Sequence, residues 1–156
     1  MNSLSENAVP KMLEGYNCAQ SVLYACCDRL SFDKDAALRV ACGLGAGMGR
    51  KEKVCGALTG GILALGLKHG RGEKEDRSRT ETTYAKTREL IDRFEAKHGS
   101  CICRELLGGC DLMTENGLRY YKANDLLHIT CVPCVRTVGG ILEHLLEPAP
   151  RDEAKG

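Results

Sequence analysis

Apolar positions in this chain recur every three to four residues, and turn-forming residues cut the pattern into helix-length pieces. Alternating apolar and polar stretches of the kind that make strands are weak. The spacing predicts a first helix over residues 4–14, with Gly15 just past its end. Asn17 is placed as the N-cap of a second helix through Val22, Leu23, Cys26 and Leu30. Asp33 is placed as the cap of a third, through Leu38 and Val40 towards Gly43. A helix over 55–68 carries Leu58, Ile62 and Leu65 on one face, with Gly56, Gly60 and Ala64 at spacings of four. Glycine inside a helix costs about 1 kcal/mol against alanine, so this row predicts that a neighbouring helix approaches closely. Gly70 ends it. The longest helix is expected over 73–97, with Tyr84, Leu90, Ile91 and Phe94 on its buried side and Gly99 as its stop. A helical turn over 103–107, an irregular stretch over 110–130 and a last helix over 133–146 follow. Pro133 suits a first helical turn, and Pro148 ends the run. The pattern predicts an all-α, single-domain helical bundle of about six or seven helices over residues 1–150, with a disordered tail over 151–156.

Composition narrows this reading. The chain has 156 residues, no Trp and two Phe, so its core must be built from Leu, Ala, Val, Ile and Cys. That length suffices for a genuine core without disulfide staples. Net charge is +1, with Lys and Arg spread along the chain, which argues for neither a nucleic-acid nor a membrane partner. No stretch approaches the roughly 20 apolar residues of a membrane span. The first residues lack a basic then apolar leader, so a cytoplasmic setting is expected. In a reducing compartment the ten cysteines point to metal binding or redox chemistry rather than structural disulfides.

Known local signatures are missing. The one C-x-x-C is Cys131-Val132-Pro133-Cys134, without the second knuckle of a zinc ribbon and without a following His for haem attachment. Ferredoxin spacings are absent, and no βαβ context supports a thioredoxin motif. The run from Gly43 to Gly49 fits neither G-x-G-x-x-G nor G-x-x-x-x-G-K. It is expected to let backbone pass close to a helix or a cofactor and to shield the site rather than hold a nucleotide. His69, His98 and His144 are expected to be solvated or capping. His128, three residues before Cys131, is a secondary candidate ligand or donor.

Position within the predicted elements separates the cysteines. Cys18, Cys55, Cys103 and Cys131 each fall at a predicted helix start. A helix start carries free N–H groups and roughly half a positive charge, which favour thiolate. Four such thiolates would suit an anionic cluster. Cys26, Cys27 and Cys42 are expected to fill the core as small apolar residues. Cys101, Cys110 and Cys134 lie between these cases as secondary candidate ligands.

The run Gly15-Tyr16-Asn17-Cys18-Ala19-Gln20-Ser21-Val22-Leu23 is followed by Gly45-Ala46-Gly47-Met48-Gly49 and Cys55-Gly56-Ala57-Leu58-Thr59-Gly60. Cys103-Arg104-Glu105-Leu106-Leu107-Gly108 and Cys131 with Val135 complete an ordered set. This set resembles the redox-active protein family written C_GCAxxG_C_C, over nearly the whole chain. The resemblance implies a small helical protein with four characteristic cysteines at Cys18, Cys55, Cys103 and Cys131, binding an iron–sulfur centre. A related domain resembles part of split-Soret cytochrome c, although its haem does not carry over, because C-x-x-C-H is missing here.

Three functions compete. The first is electron transfer or redox sensing with a [2Fe–2S] or [4Fe–4S] iron–sulfur cluster on those four cysteines. The second is a metal-free thiol–disulfide protein in which pairs such as Cys131 and Cys134 cycle. The third is a structural zinc-binding module. No substrate pocket is legible, so catalysis is left open, as are the redox partner protein and assembly into a homodimer.

Overall fold

The computed structural model describes residues 3–148; the tail expected over 151–156 lies outside them. Among the described residues there are eight right-handed helices and no strand. Helix α1 (Leu4–Leu13) starts at Ser3, whose Oγ accepts from the Glu6 N–H. It buries Leu4, Ala8 and Met12 at spacings of four. Helix α2 (Cys18–Leu30) opens with a reciprocal cap: Asn17 Oδ1 accepts from the Gln20 N–H at 3.0 Å, and Gln20 Oε1 accepts from the Asn17 N–H at 3.1 Å. Both amides reach further. Asn17 Nδ2 donates to the Cys42 carbonyl, and Gln20 Nε2 donates to the Leu38 carbonyl. The start of α2 is thereby tied to the end of α3 (Lys34–Ala41), which Asp33 caps.

Helix α4 (Gly56–His69) packs across α2 by the expected glycine face. A Cβ on Gly60 would lie 2.5 Å from the Ala19 carbonyl oxygen, and one on Gly56 would lie 3.1 Å from the Cys18 Cβ. On its other side, a Cβ on Gly61 would meet Val138 and Leu90. These belong to α8 (Val132–Leu145) and α5 (Ser78–His98). Helices α1, α2, α4, α5 and α8 share one core of Leu, Val, Ala, Cys and Phe94. Among the described residues no single helix is long and apolar enough to cross a membrane.

Several expectations are corrected. The long helix begins at Ser78 rather than near residue 73, and Tyr84 is 57% exposed, leaving Leu90 and Phe94 to make the buried face. Residues 110–130 are not irregular: α7 (Glu115–Ala123) begins at Thr114, whose Oγ1 accepts from the Gly117 N–H. A π turn (Leu127–Cys131) then runs straight into α8. Cys131 therefore sits inside continuous helical backbone and not at a free helix start. Cys42 is exposed and does not fill the core.

Between α3 and α4 the chain winds the other way. Ala46, Gly47, Met48, Gly49 and Arg50 all have φ between 51° and 70°. Bonds from the Gly49 N–H to the Gly45 carbonyl and from the Lys53 N–H to the Gly47 carbonyl close this left-handed run. Three of the five residues are not glycine, and such residues resist this conformation by roughly 1–2 kcal/mol each. Beyond the run, one antiparallel bridge pairs Val54 with Ile102. The Cys55 N–H donates to the Cys101 carbonyl at 2.8 Å, and the Cys103 N–H donates to the Lys53 carbonyl at 2.6 Å. This clamp leads directly into α4 and into the single-turn α6 (Cys103–Leu106).

Candidate thiol site

The cap of α2, the start of α4, the bridge before α6 and the π turn before α8 all end at one place. There Cys18, Cys55, Cys103 and Cys131, distant in sequence, line a cavity of about 160 Å³ together with Cys134. The remaining walls are mainly apolar, with Met12, Leu106, Leu107, Leu112 and Leu127 among them. No His, Asp, Glu, Lys or Arg lines it. Ala46 and Gly47 of the left-handed run form part of the wall. The run is pressed against the structure behind it: a Cβ on Gly45 would meet Asn17 at 2.2 Å, and one on Gly47 would meet the Glu52 backbone at 2.5 Å.

The thiols interact in two pairs. Cys18 acts on Cys131 and Cys134 acts on Cys55, so that negative charge on one sulfur of each pair is eased by the proton on the other. Cys131 is brought down to about 7, first by the Cys18 bond and then, against burial, by the Tyr121 hydroxyl 3.3 Å from its Sγ. Cys55 is also lowered, chiefly by Cys134 and further by the N–H groups of Ala57 and Leu58 at the start of α4. Their donors move the other way: Cys18 and Cys134 are raised, each first by its own thiol–thiolate bond and then by burial. Cys103 is pushed up to about 12, mainly by burial and then by the negative charge of Cys55 and Cys131. Of the four, only Cys55 draws part of its lowering from helix N–H groups, after the larger contribution of Cys134. At Cys131 the lowering comes from neighbouring side chains.

Glu52 stands behind Cys103. Its side chain is fully buried; Oε1 accepts from the Leu112 N–H at 3.0 Å and from Arg104 Nη2 at 3.1 Å, and Oε2 has no partner. It fixes the exit of the left-handed run against the turn after α6.

The secondary candidates divide. Cys134 is in the cavity. Cys101 is pushed up to about 11 by burial first and then by the nearby Glu95 carboxylate, and the Cys110 thiol donates to the Gly117 carbonyl at 3.2 Å. His128 is exposed and bonded to Asp125, outside the lining residues. Cys26 and Cys27 fill the core as expected. Tyr121 and Glu52 were not singled out by sequence. Neither carries a local motif, and both reach the site only through the fold.

The sequence pattern of the family described as "Putative redox-active protein (C_GCAxxG_C_C)" matches residues 16–145. The chain belongs to this family. No curated protein and no solved structure matches it. Every cysteine of the C_GCAxxG_C_C pattern as read here, at Cys18, Cys55, Cys103 and Cys131, faces the cavity, and the glycines of the motifs are what let α2, α4 and the left-handed run close around it. The fold explains the spacing of this C_GCAxxG_C_C chain: each cysteine is delivered to the cavity by a separate segment, so the four need not be close in sequence.

The donor set is thiol throughout. A single tetrahedral ion needs its sulfurs about 2.3 Å from one point. Among the described residues no three or more His, Cys, Asp or Glu side chains converge in that way. The thiols are distributed around a cavity instead.

Proposed function

We propose that this redox-active family member is an electron-transfer or redox-sensing protein whose Cys18, Cys55, Cys103 and Cys131 hold an iron–sulfur cluster, [2Fe–2S] or [4Fe–4S]. The observation that carries the reading is the convergence of these four cysteines on one apolar cavity with no other charged or imidazole lining group. A group of several atoms suits thiols spread over cavity walls better than a single ion does. When bound, such a cluster supplies reversible one-electron chemistry. The chain's own residues set its surroundings. Cys55 and Cys131 are the thiols most ready to lose a proton. The start of α4 sets backbone N–H groups near Cys55, and the Tyr121 hydroxyl lies 3.3 Å from the Cys131 Sγ; polar groups so placed beside sulfur tune a potential. The leucines and Met12 keep water away. A cytoplasmic setting and a separate redox partner belong to the same proposal.

The test is anaerobic purification with visible absorption and analysis of iron and acid-labile sulfide. Charge-transfer bands with both elements present support the cluster. Colourless protein with stoichiometric zinc replaces it by a structural zinc module.

One observation favours a second reading. Each of the neighbouring pairs Cys18/Cys131 and Cys55/Cys134 can close to a disulfide: two electrons and the pair's thiol protons pass to a partner's disulfide, which leaves as a dithiol. Colourless, metal-free protein that releases two to four titratable thiols on reduction would establish it.

A further inference from the structure

On the outer side of α8 lies a groove of about 470 Å³ between α8 and α5. Arg93 and Lys97, one turn apart on α5, stand on one wall and Arg136 of α8 on the other; Pro133 and Thr137 lie between them. No acidic side chain lines it. Among the described residues Arg93 has one ion pair, a 3.7 Å contact to Glu89 on its own helix, and Lys97 and Arg136 have none. The chain as a whole carries only +1, so this is a local concentration of positive charge rather than a share of a basic surface.

Its placement matters. Pro133 lies between Cys131 and Cys134 in sequence, and both of those thiols line the cavity. The helical turn that leads from Cys131 into α8 therefore has the thiols on one side and the groove on the other. The groove is poorly made for a small anion. The Thr137 hydroxyl already donates to the Pro133 carbonyl and bonds His98 Nε2 at 2.8 Å. Its cations are long, exposed side chains from two helices, which suit a broad carboxylate-bearing surface.

We infer that this groove is the docking face for an acidic redox partner protein, whose carboxylates meet Arg93, Lys97 and Arg136. The inference rests on the proposed redox function and names its partner by charge. In the complex one electron leaves the partner's reduced centre and enters the thiol-held site; no bond forms or breaks. Small electrostatically steered interfaces of this kind bind weakly, associate fast and respond strongly to salt.

The probe is an acidic plant-type ferredoxin, titrated into isotope-labelled full-length protein, with a basic cytochrome c as control. Amide shifts are expected at residues 93–97 and 133–140, with binding weakened about tenfold by raising salt across the physiological range. The double variant Lys97→Glu/Arg136→Glu should lose at least about another tenfold while keeping its circular dichroism spectrum. Ferredoxin binding unchanged in the double variant, shifts confined to another face, or tight pyrophosphate or anionic-vesicle binding at these residues in place of ferredoxin would each overturn the docking face. Docking requires no cluster, so it is scored apart from the redox reading. Ferredoxin that docks here on colourless protein removes the cluster and keeps the face, whereas a coloured protein that docks elsewhere removes only the face.

Discussion

Cys26 and Cys55 are both buried thiols of one small core, 0% and 6% exposed, yet they behave in opposite ways. Cys26 is pushed up to about 12, chiefly by burial. Cys55 is lowered, chiefly by the Cys134 thiol and further by its place beside the backbone N–H groups that open α4. Burial alone makes a cysteine an inert apolar filler. Burial beside donors makes one member of a pair ready to lose a proton and fixes the proton on the other. The difference lies in the neighbours that the fold supplies.

The largest expected effect tests that division directly. Cys55→Ser should abolish at least about nine-tenths of iron and sulfide loading, while Cys26→Ser should leave loading per folded chain close to wild type and lower stability by about 1–2 kcal/mol. Metal analysis beside urea unfolding reads both. Equal loss of loading in the two variants would erase the distinction between filler and ligand.

Next comes the glycine face that brings Cys18 towards the start of α4. A Cβ at Gly60 would sit 2.5 Å from the Ala19 carbonyl oxygen, whereas one at Gly66 meets nothing within 4 Å. Gly60→Ala should therefore destabilise by about 1–3 kcal/mol through overpacking and disturb the site. Gly66→Ala on the same helix should stabilise by up to about 1 kcal/mol. Thermal unfolding of the two variants, expected to move in opposite directions, checks the claim.

The metal-free protein should show the pairing in its pH dependence. Cys131 falls from an ordinary 9.0 to about 7 in the folded chain. Between those values the unfolded chain keeps a proton that the folded chain has lost, so stability rises with pH across that window and is lost as pH falls through about 7. Above 9.0 the sign turns, because Cys18, Cys103 and Cys134 are raised and hold protons that the unfolded chain releases. Urea midpoints that stay flat from mildly acidic to strongly alkaline pH would contradict the two thiol–thiolate pairs.

The smallest effect belongs to Tyr121. Tyr121→Phe removes the hydroxyl that lies 3.3 Å from the Cys131 sulfur and helps to lower that thiol. It should slow alkylation of the metal-free protein near neutrality and lower the midpoint potential of the loaded protein by less than about 60 mV. No change in either would reduce Tyr121 to a packing residue.

Much of the scaffold was legible because it rests on short-range rules. Asn17 with Gln20 announces a cap, Asp33 another, and the Gly56–Gly60 spacing announces a close helix pair; all three occur as read. The convergence of Cys18, Cys55, Cys103 and Cys131 was read from position and resemblance together. What escaped depends on contacts between distant segments. Cys134 enters the cavity as the donor to Cys55, a role that a helix-start rule does not single out. Cys131 was placed at a helix start because Pro133 follows it, whereas a π turn continues the backbone through it. Tyr84 satisfies the helical period of a buried face but lies where no neighbouring helix covers it. Glu52 reads as one charge in a polar stretch, yet its side chain is fully buried.

The left-handed run beside the cavity limits how this stretch of sequence can drift. In a turn of the wrong hand for L-residues, every added β-carbon is penalised, and a ring that locks φ near −65° is barred outright. Val, Ile, Thr and Pro are therefore poor replacements at Ala46, Met48 and Arg50, where φ is 51°, 70° and 67°. Glycine is the easy exchange. This stretch, whose Ala46 and Gly47 line the thiol cavity, is thus open to substitution mainly in the direction that removes side chains, and a library randomised across residues 46–50 should return an alphabet far narrower than one randomised across the exposed face of α5.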